Sequence, residues 1–278
     1  MDIRSIQCLW NEHNEGDKMS LLWSRLNKRW FVAAIAVGMA VGLGQIIVNC
    51  YTGMANIDSP YTRWLSINTD SSATTIFFIL LPFLASIPAG NMLKEDLDSG
   101  LFNKFKLQVP VARLIMQYAV MAFVTGFVTI MIPMLFNLLG YLLILPNFKP
   151  DNLLNINIGV FNFNTMLVSL YYSHPFVHAC LNILLASVWG GLFSVFVLVN
   201  SVWIRNRFAS LSTALVLELV LMELNAVLPI DDMPSISPTD FLPEQGDRPL
   251  LWLTALITIV LAAYCVGMYK LACRRAVL

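Results

Sequence analysis

The amino-acid sequence predicts an all-α integral membrane protein: six transmembrane helices, an N-terminal amphipathic helix in the interface, and both termini in the cytoplasm. Three observations carry this. Of 278 residues, 58% are hydrophobic and only 12% charged, with a mean hydropathy of +0.70, whereas a soluble domain carries roughly 25% charged residues. One core cannot bury so large an apolar surplus, so lipid must solvate part of it. Charge is also confined: the stretches Phe31 to Ile57, Ser71 to Leu93 and Leu114 to Phe148 contain none, and each exceeds the roughly 20 apolar residues that cross a bilayer. Finally, with six spans and an inner N-terminus, 14 of the 17 Lys and Arg fall on the inner side. Only Arg63, Lys149 and Arg248 fall outside, which is the asymmetry of the positive-inside rule.

In chain order, residues 18–30, KMSLLWSRLNKRW, place Leu21, Leu22, Leu26 and Trp30 at helical spacing with Arg25, Lys28 and Arg29 between them. That pattern predicts an interfacial amphipathic helix; a simple basic flank for the first span is the plainer alternative. The spans are expected at about 31–50, 75–93, 114–145, 173–203, 208–228 and 250–269. Pro82 and Pro88 lie inside span 2 and are expected to kink it, which neighbouring helices make tolerable. Ser173 is expected to cap span 4, with Pro175 in its first turn. Residues 153–172 alternate apolar residues with Asn before turning wholly apolar, as an interfacial or re-entrant segment would. Residues 229–249 are proline-rich and acidic, an outer loop. The first 30 residues lack the apolar core of a cleavable signal, so span 1 is expected to act as its own insertion signal.

Several chemistries are excluded. The chain has no GxxxxGK[ST] loop to cradle a nucleotide triphosphate, and no HExxH or GxSxG motif. An enzyme is not expected. Net charge is zero, and nothing points to nucleic acid. Five cysteines, Cys8, Cys50, Cys180, Cys265 and Cys273, lack metal or disulfide spacing. His174 and His178 share a helix face four residues apart, but no third metal ligand accompanies them.

Glu218 and Glu223 are the acidic residues inside an expected span. A carboxyl there is costly, so it should face protein or a wet cavity. Five residues apart they point about 140° from each other on a helix, so they cannot share one narrow face. Cavity lining or a subunit contact is one reading; hydrogen bonds to Asn or Ser of neighbouring helices is the other. Ala34, Gly38 and Gly42 recur every four residues in span 1, followed by Gln45 and Asn49 at the same interval. Small residues permit close helix approach and amides can bond across an interface, either between subunits or within the chain.

The inner loop 94–113, KEDLDSGLFNKFKLQVPVAR, sets Leu101, Phe102, Phe105 and Leu107 among charges such as Glu95 and Asp96. Such an amphipathic element offers a surface to a soluble partner. Its pattern, E-x4-G-x9-P-x2-R over Glu95, Gly100, Pro110 and Arg113, together with six spans and an N-terminal amphipathic helix, resembles the permease subunits of ABC-2 type transporters. The likeness covers nearly the whole chain in architecture but only this loop in residues. It implies two permease copies in a prokaryotic plasma membrane, a homodimer or related heterodimer, joined to two separate ATPase subunits that carry the ATP and Mg. The chain itself would bind no cofactor, and the 94–113 loop would dock on the ATPase. The short re-entrant helices this family places between spans 5 and 6 are not expected here, because 229–249 is too polar and proline-rich. The resemblance implies export, of an antimicrobial peptide or a hydrophobic compound. A secondary transporter and a non-transporting scaffold or immunity protein are the alternatives.

Overall fold

Asn27 sets the first helix boundary, its side chain accepting the backbone N–H of Trp30 at 3.4 Å. From there α1 runs Lys28–Thr52. The computed structural model describes residues 23, 26–53, 58–68, 71–107, 109–151, 160, 164–204, 206–227, 234–244 and 249–277. Most of the amphipathic segment 18–30 and half of segment 153–172 lie outside these residues. Lys28, Arg29 and Trp30 are the exposed first turn of α1 rather than the end of a separate helix.

A one-turn helix, α2 (Pro60–Arg63), precedes α3 (Ser72–Ser86). The second span was expected to reach residue 93, but its helix stops at Ser86. Pro88 explains the difference: it has no N–H and its ring crowds the preceding turn. Instead Gly90 donates to Ser86 O at 2.8 Å, and a short helix, α4 (Met92–Asp98), begins afresh. Gly100 then takes a left-handed conformation, φ 73°, which glycine adopts without steric cost, and leads into α5 (Leu101–Lys106).

Helix α6 (Val111–Ile144) is the longest, roughly 50 Å at 1.5 Å per residue, and outreaches a bilayer core of about 30 Å. A short α7 (Val168–Ser173) precedes α8 (Pro175–Ser201). Ser173 does not cap α8; its hydroxyl turns back to Ser169 O at 2.7 Å, and His174 occupies the junction. The fifth span is also divided, into α9 (Arg207–Leu211) and α10 (Thr213–Val227). Local bonds from Ser212 Oγ to Phe208 O (3.1 Å) and from Thr213 Oγ1 to Ser210 O (2.7 Å) compete with the helix ladder at the break. The loop expected to stay outside, 229–249, contributes a buried turn, α11 (Pro238–Phe241). Its Phe241 and Leu242 are apolar enough to join the core despite the prolines around them. Last comes α12 (Leu251–Val277).

The described residues are all helix, turn or irregular, with no strand among them. Four helices are long and apolar enough to cross a membrane: Lys28–Thr52, Val111–Ile144, Pro175–Ser201 and Leu251–Arg275. The chain is thus an all-helical protein with the character of a membrane protein. Helices α6 and α8 form the central pair and make the most extensive contact. One core cluster gathers Trp64, Phe77, Tyr141, Trp189 and Phe241; a second, at the basic end, gathers Leu26, Met92, Phe102, Tyr118 and Ala272. Peripheral α12 keeps only 11% of its spanning window buried. Over its first two-thirds the exposed residues are mostly apolar, Trp252, Ile259 and Val260 among them, as a lipid-facing or subunit-facing surface requires.

Candidate functional site

The 94–113 segment folds into a platform against the basic end. Phe102 is 1% exposed and packs with Leu93, Leu114 and Tyr118. Asp96, also buried, accepts a hydrogen bond from the Tyr118 hydroxyl of α6. Lys94 reaches Asp98 at 3.7 Å. From the other side Arg207 lies 3.5 Å from Glu95 and 3.9 Å from Asp98, and its backbone carbonyl accepts from Asn91 at 2.7 Å. Leu101 and Phe105 are half-buried, while Pro110, whose carbonyl accepts Leu114 N–H at 3.0 Å, and Arg113 are exposed at the start of α6. The Tyr269 hydroxyl donates to Ala112 O at 2.8 Å, and Arg275 sits 5.8 Å over the Trp203 ring. Residues from three segments expected on one side, 94–113, 203–207 and 269–275, therefore meet at one end. Glu95, Asn103, Lys104 and Leu107 form the exposed edge of this platform.

A second constellation lies along α1. Gly38 and Gly42 face α6: a Cβ on Gly38 would lie 2.7 Å from Pro133 Cγ, and one on Gly42 would lie 3.3 Å from Asn137 Cβ. Ala34 on the same stripe is buried. The two amides that follow bond within the chain. Asn137 donates to Gly42 O and Gln45 Oε1, both at 3.0 Å, and accepts Leu65 N–H at 2.8 Å; Asn49 donates to the Tyr141 hydroxyl at 2.6 Å. This seam joins α1, α6 and the buried 64–68 turn. Asn137 and Tyr141 were not among the residues singled out from sequence, although an amide deep in an uncharged span was a legible signal.

Glu218 and Glu223 separate as their spacing requires. Glu223 is exposed, whereas Glu218 is 1% exposed beneath α11. The backbone N–H of Thr239 approaches its carboxyl without full hydrogen-bond geometry, and Asp240 lies nearby. A buried carboxyl so poorly satisfied costs about 1–3 kcal/mol of stability, which an apolar side chain of similar size would recover. Glu218→Leu is therefore expected to raise the melting temperature of the purified protein, with Glu218→Gln near neutral. A lower melting temperature for Glu218→Leu would show that the carboxyl is needed for packing.

The end opposite the platform holds polar groups that sequence did not pair. His174 is exposed at the α7–α8 junction, so it and His178 do not converge. His178 Nδ1 instead lies 3.4 Å from Glu244 Oε1, and its Nε2 is 2.8 Å from Met166 O. Glu244 is held by its backbone, its N–H donating to Ser66 O at 2.8 Å and its carbonyl accepting from Thr165. Nearby, Asn182 donates to Leu242 O at 2.9 Å and accepts from Ser66 at 2.9 Å. No group of three or more potential metal ligands occurs among the described residues.

Comparison with known protein families, curated proteins and solved structures finds no match. The functional reading accordingly rests on the geometry of this chain.

Proposed function

We propose that the chain is the permease subunit of an ATP-driven exporter, coupled to separate ATPase subunits through residues 94–113. The observation that carries this is the two-sided build of the platform. Phe102 and Asp96 anchor it to α6 and Arg207 ties it to the α8–α9 connection, while Glu95, Asn103, Lys104 and Leu107 remain exposed. A partner that bound this edge and moved on ATP binding would pull on both helices of the central pair. In this reading α3 and the α9–α10 pair complete six crossings, the basic end faces the cytoplasm, and a second copy covers apolar surface of α1 or α12. ATP and Mg stay on the partner, since this chain has no triphosphate loop. An amphiphilic substrate such as an antimicrobial peptide or hydrophobic compound suits a pathway without a large outer domain.

The test is a charge-reversal pair, Glu95→Lys with Lys104→Glu, co-expressed with the ATPase. Exposed ion pairs contribute only about 0–1 kcal/mol, so insertion and melting temperature should hold. ATP-dependent transport should fall at least tenfold while ATP hydrolysis continues. Unchanged transport would remove the platform from the coupling path. Phe102→Asp is unsuitable as a probe, because it would place a charge in the inner core cluster.

A second reading, a proton-coupled secondary transporter, is favoured by the burial of Glu218 in an apolar helix. Transport into vesicles driven by a pH gradient, without ATP or an ATPase, would select it.

A further inference from the structure

We propose that a pocket at the end opposite the platform, between residues 166–167, α8, residues 241–244 and the start of α12, binds hydrophobic ammonium ions in exchange for a proton shared by His178 and Glu244. The pocket has a volume of about 200 Å³ and is mostly apolar, with Leu181, Leu185, Phe241 and Leu251 beside His178 and Glu244. Both polar side chains are buried, 6% and 2% exposed.

The hydrogen bonds fix where the proton sits. Met166 O can only accept, so His178 Nε2, 2.8 Å away, carries a hydrogen. In a neutral ring Nδ1 then has only a lone pair to offer. That lone pair would face the oxygen lone pairs of Glu244, 3.4 Å away. The contact is favourable only if the pair holds one further proton, as imidazolium with carboxylate or as imidazole with carboxylic acid. Either way the site is neutral overall, as a buried, weakly hydrated pocket demands.

The other groups around the pair do not supply that proton. Asn182 is engaged by Leu242 O and Ser66. From α7, Tyr171 presents its ring to His178 at 5.5 Å while its hydroxyl donates to Tyr61 O at 3.2 Å. From residues 241–244 the titratable group facing His178 is Glu244 itself, and the first turn of α12 presents Leu251 to the pocket. Among the described residues, the pocket lining contains no Lys or Arg.

A bound cation can replace the proton with no change in net charge. Imidazolium–carboxylate plus an alkylammonium ion becomes neutral imidazole, with the ammonium on Glu244, and one proton leaves to water. An anion would meet the carboxylate, and a neutral alcohol would displace nothing. Aromatic rings such as Phe241 favour an ammonium head by cation–π attraction, and the leucines accept its alkyl chain. Leu167, Leu181 and Leu251 at the rim are 44%, 43% and 57% exposed, so the opening is apolar and suits a ligand already dissolved in the bilayer. The proposal stands apart from the exporter reading, because binding is read without ATP or transport.

The test uses the full chain in lipid nanodiscs and hexyltrimethylammonium, whose charge does not vary with pH, so any proton released comes from the protein. Calorimetry should show binding that weakens as pH falls, by about tenfold per pH unit where one proton is exchanged. Hexanol and hexyl sulfate should show no such dependence. Glu244→Gln should abolish binding. His178→Gln, which keeps a donor for Met166 O, leaves Glu244 as the sole carrier of the exchanged proton and should still bind, with its pH profile displaced from that of the parent. Leu185→Trp, which fills the pocket and leaves both polar groups in place, should abolish binding; it serves as the decisive variant if Glu244→Gln does not fold. A flat pH profile in the parent protein, equal binding of hexanol, or full binding by Leu185→Trp would each overturn the proposal.

Discussion

Asn137→Leu is expected to cost about 3 kcal/mol or more of stability and to loosen the 64–68 turn. Asn137 is fully buried and satisfies three other groups: Gly42 O, Gln45 Oε1 and the Leu65 N–H. Leucine fills nearly the same space but leaves the Leu65 N–H and the Gln45 side chain without their bonds. Each buried polar group so stranded costs about 1–3 kcal/mol, and the apolar gain of leucine offsets only part of that. The same sum predicts that Gln45→Leu is milder, because Asn137 then keeps Gly42 and Leu65. A double-mutant cycle should therefore be non-additive, with the double variant less damaged than the two losses combined. Thermal unfolding gives the magnitude, and hydrogen exchange at the Leu65 amide gives the location. Unchanged exchange at Leu65 would mean that the amide is held by something other than Asn137.

The two amides of α1 show what sequence could and could not reveal. Periodicity placed Gly38, Gly42, Gln45 and Asn49 on one face, because a helix of 3.6 residues per turn leaves little choice. Which surface that face meets depends on the position of α6, set by contacts distant in sequence. The same division applies at the platform. The charges and aromatics of 94–113 were legible as an amphipathic element, but the anchors Tyr118 and Arg207 come from elsewhere in the chain. Hydropathy located long apolar stretches well and their ends poorly. Pro88 and the Ser210–Thr213 cluster stop helices through local hydrogen-bond chemistry that a hydropathy average does not register. The segments expected on the outside misled for a different reason. Residues 229–249 look like a solvated loop by composition, yet Phe241 and Leu242 bury against Trp189 and its neighbours. Burying that turn brings Glu244 to His178, a pairing invisible to spacing rules.

A second large effect is expected at the crossing of α6 and α8. A Cβ on Gly126 would lie 2.7 Å from Gly190 O, 2.7 Å from Ser194 Cβ and 3.2 Å from Ala85 O. Two of those three atoms are backbone, so no rotamer change relieves the overlap. Gly190 mirrors it, with Gly126 O at 3.0 Å and Ile130 Cγ1 at 2.6 Å. The helices approach this closely only because neither carries a side chain at the crossing, the device that lets membrane helices pack through backbone contact. Gly126→Ala should thus cost about 1–3 kcal/mol despite alanine's better helix propensity, and Gly126→Val should cost more because the helix axes must part. Gly44 provides the control. A Cβ there meets nothing within 4 Å, so Gly44→Ala should be neutral or stabilise by up to about 1 kcal/mol through propensity alone. The two alanine variants add the same methyl to the same kind of helix, and only the crossing distinguishes them. Melting temperatures should accordingly move in opposite directions, or down at Gly126 alone. If Gly126→Ala were as stable as Gly44→Ala, the central pair would have to lie farther apart than the structure places it, and the packing of Phe77, Trp189 and Phe193 around that pair would be wrong with it.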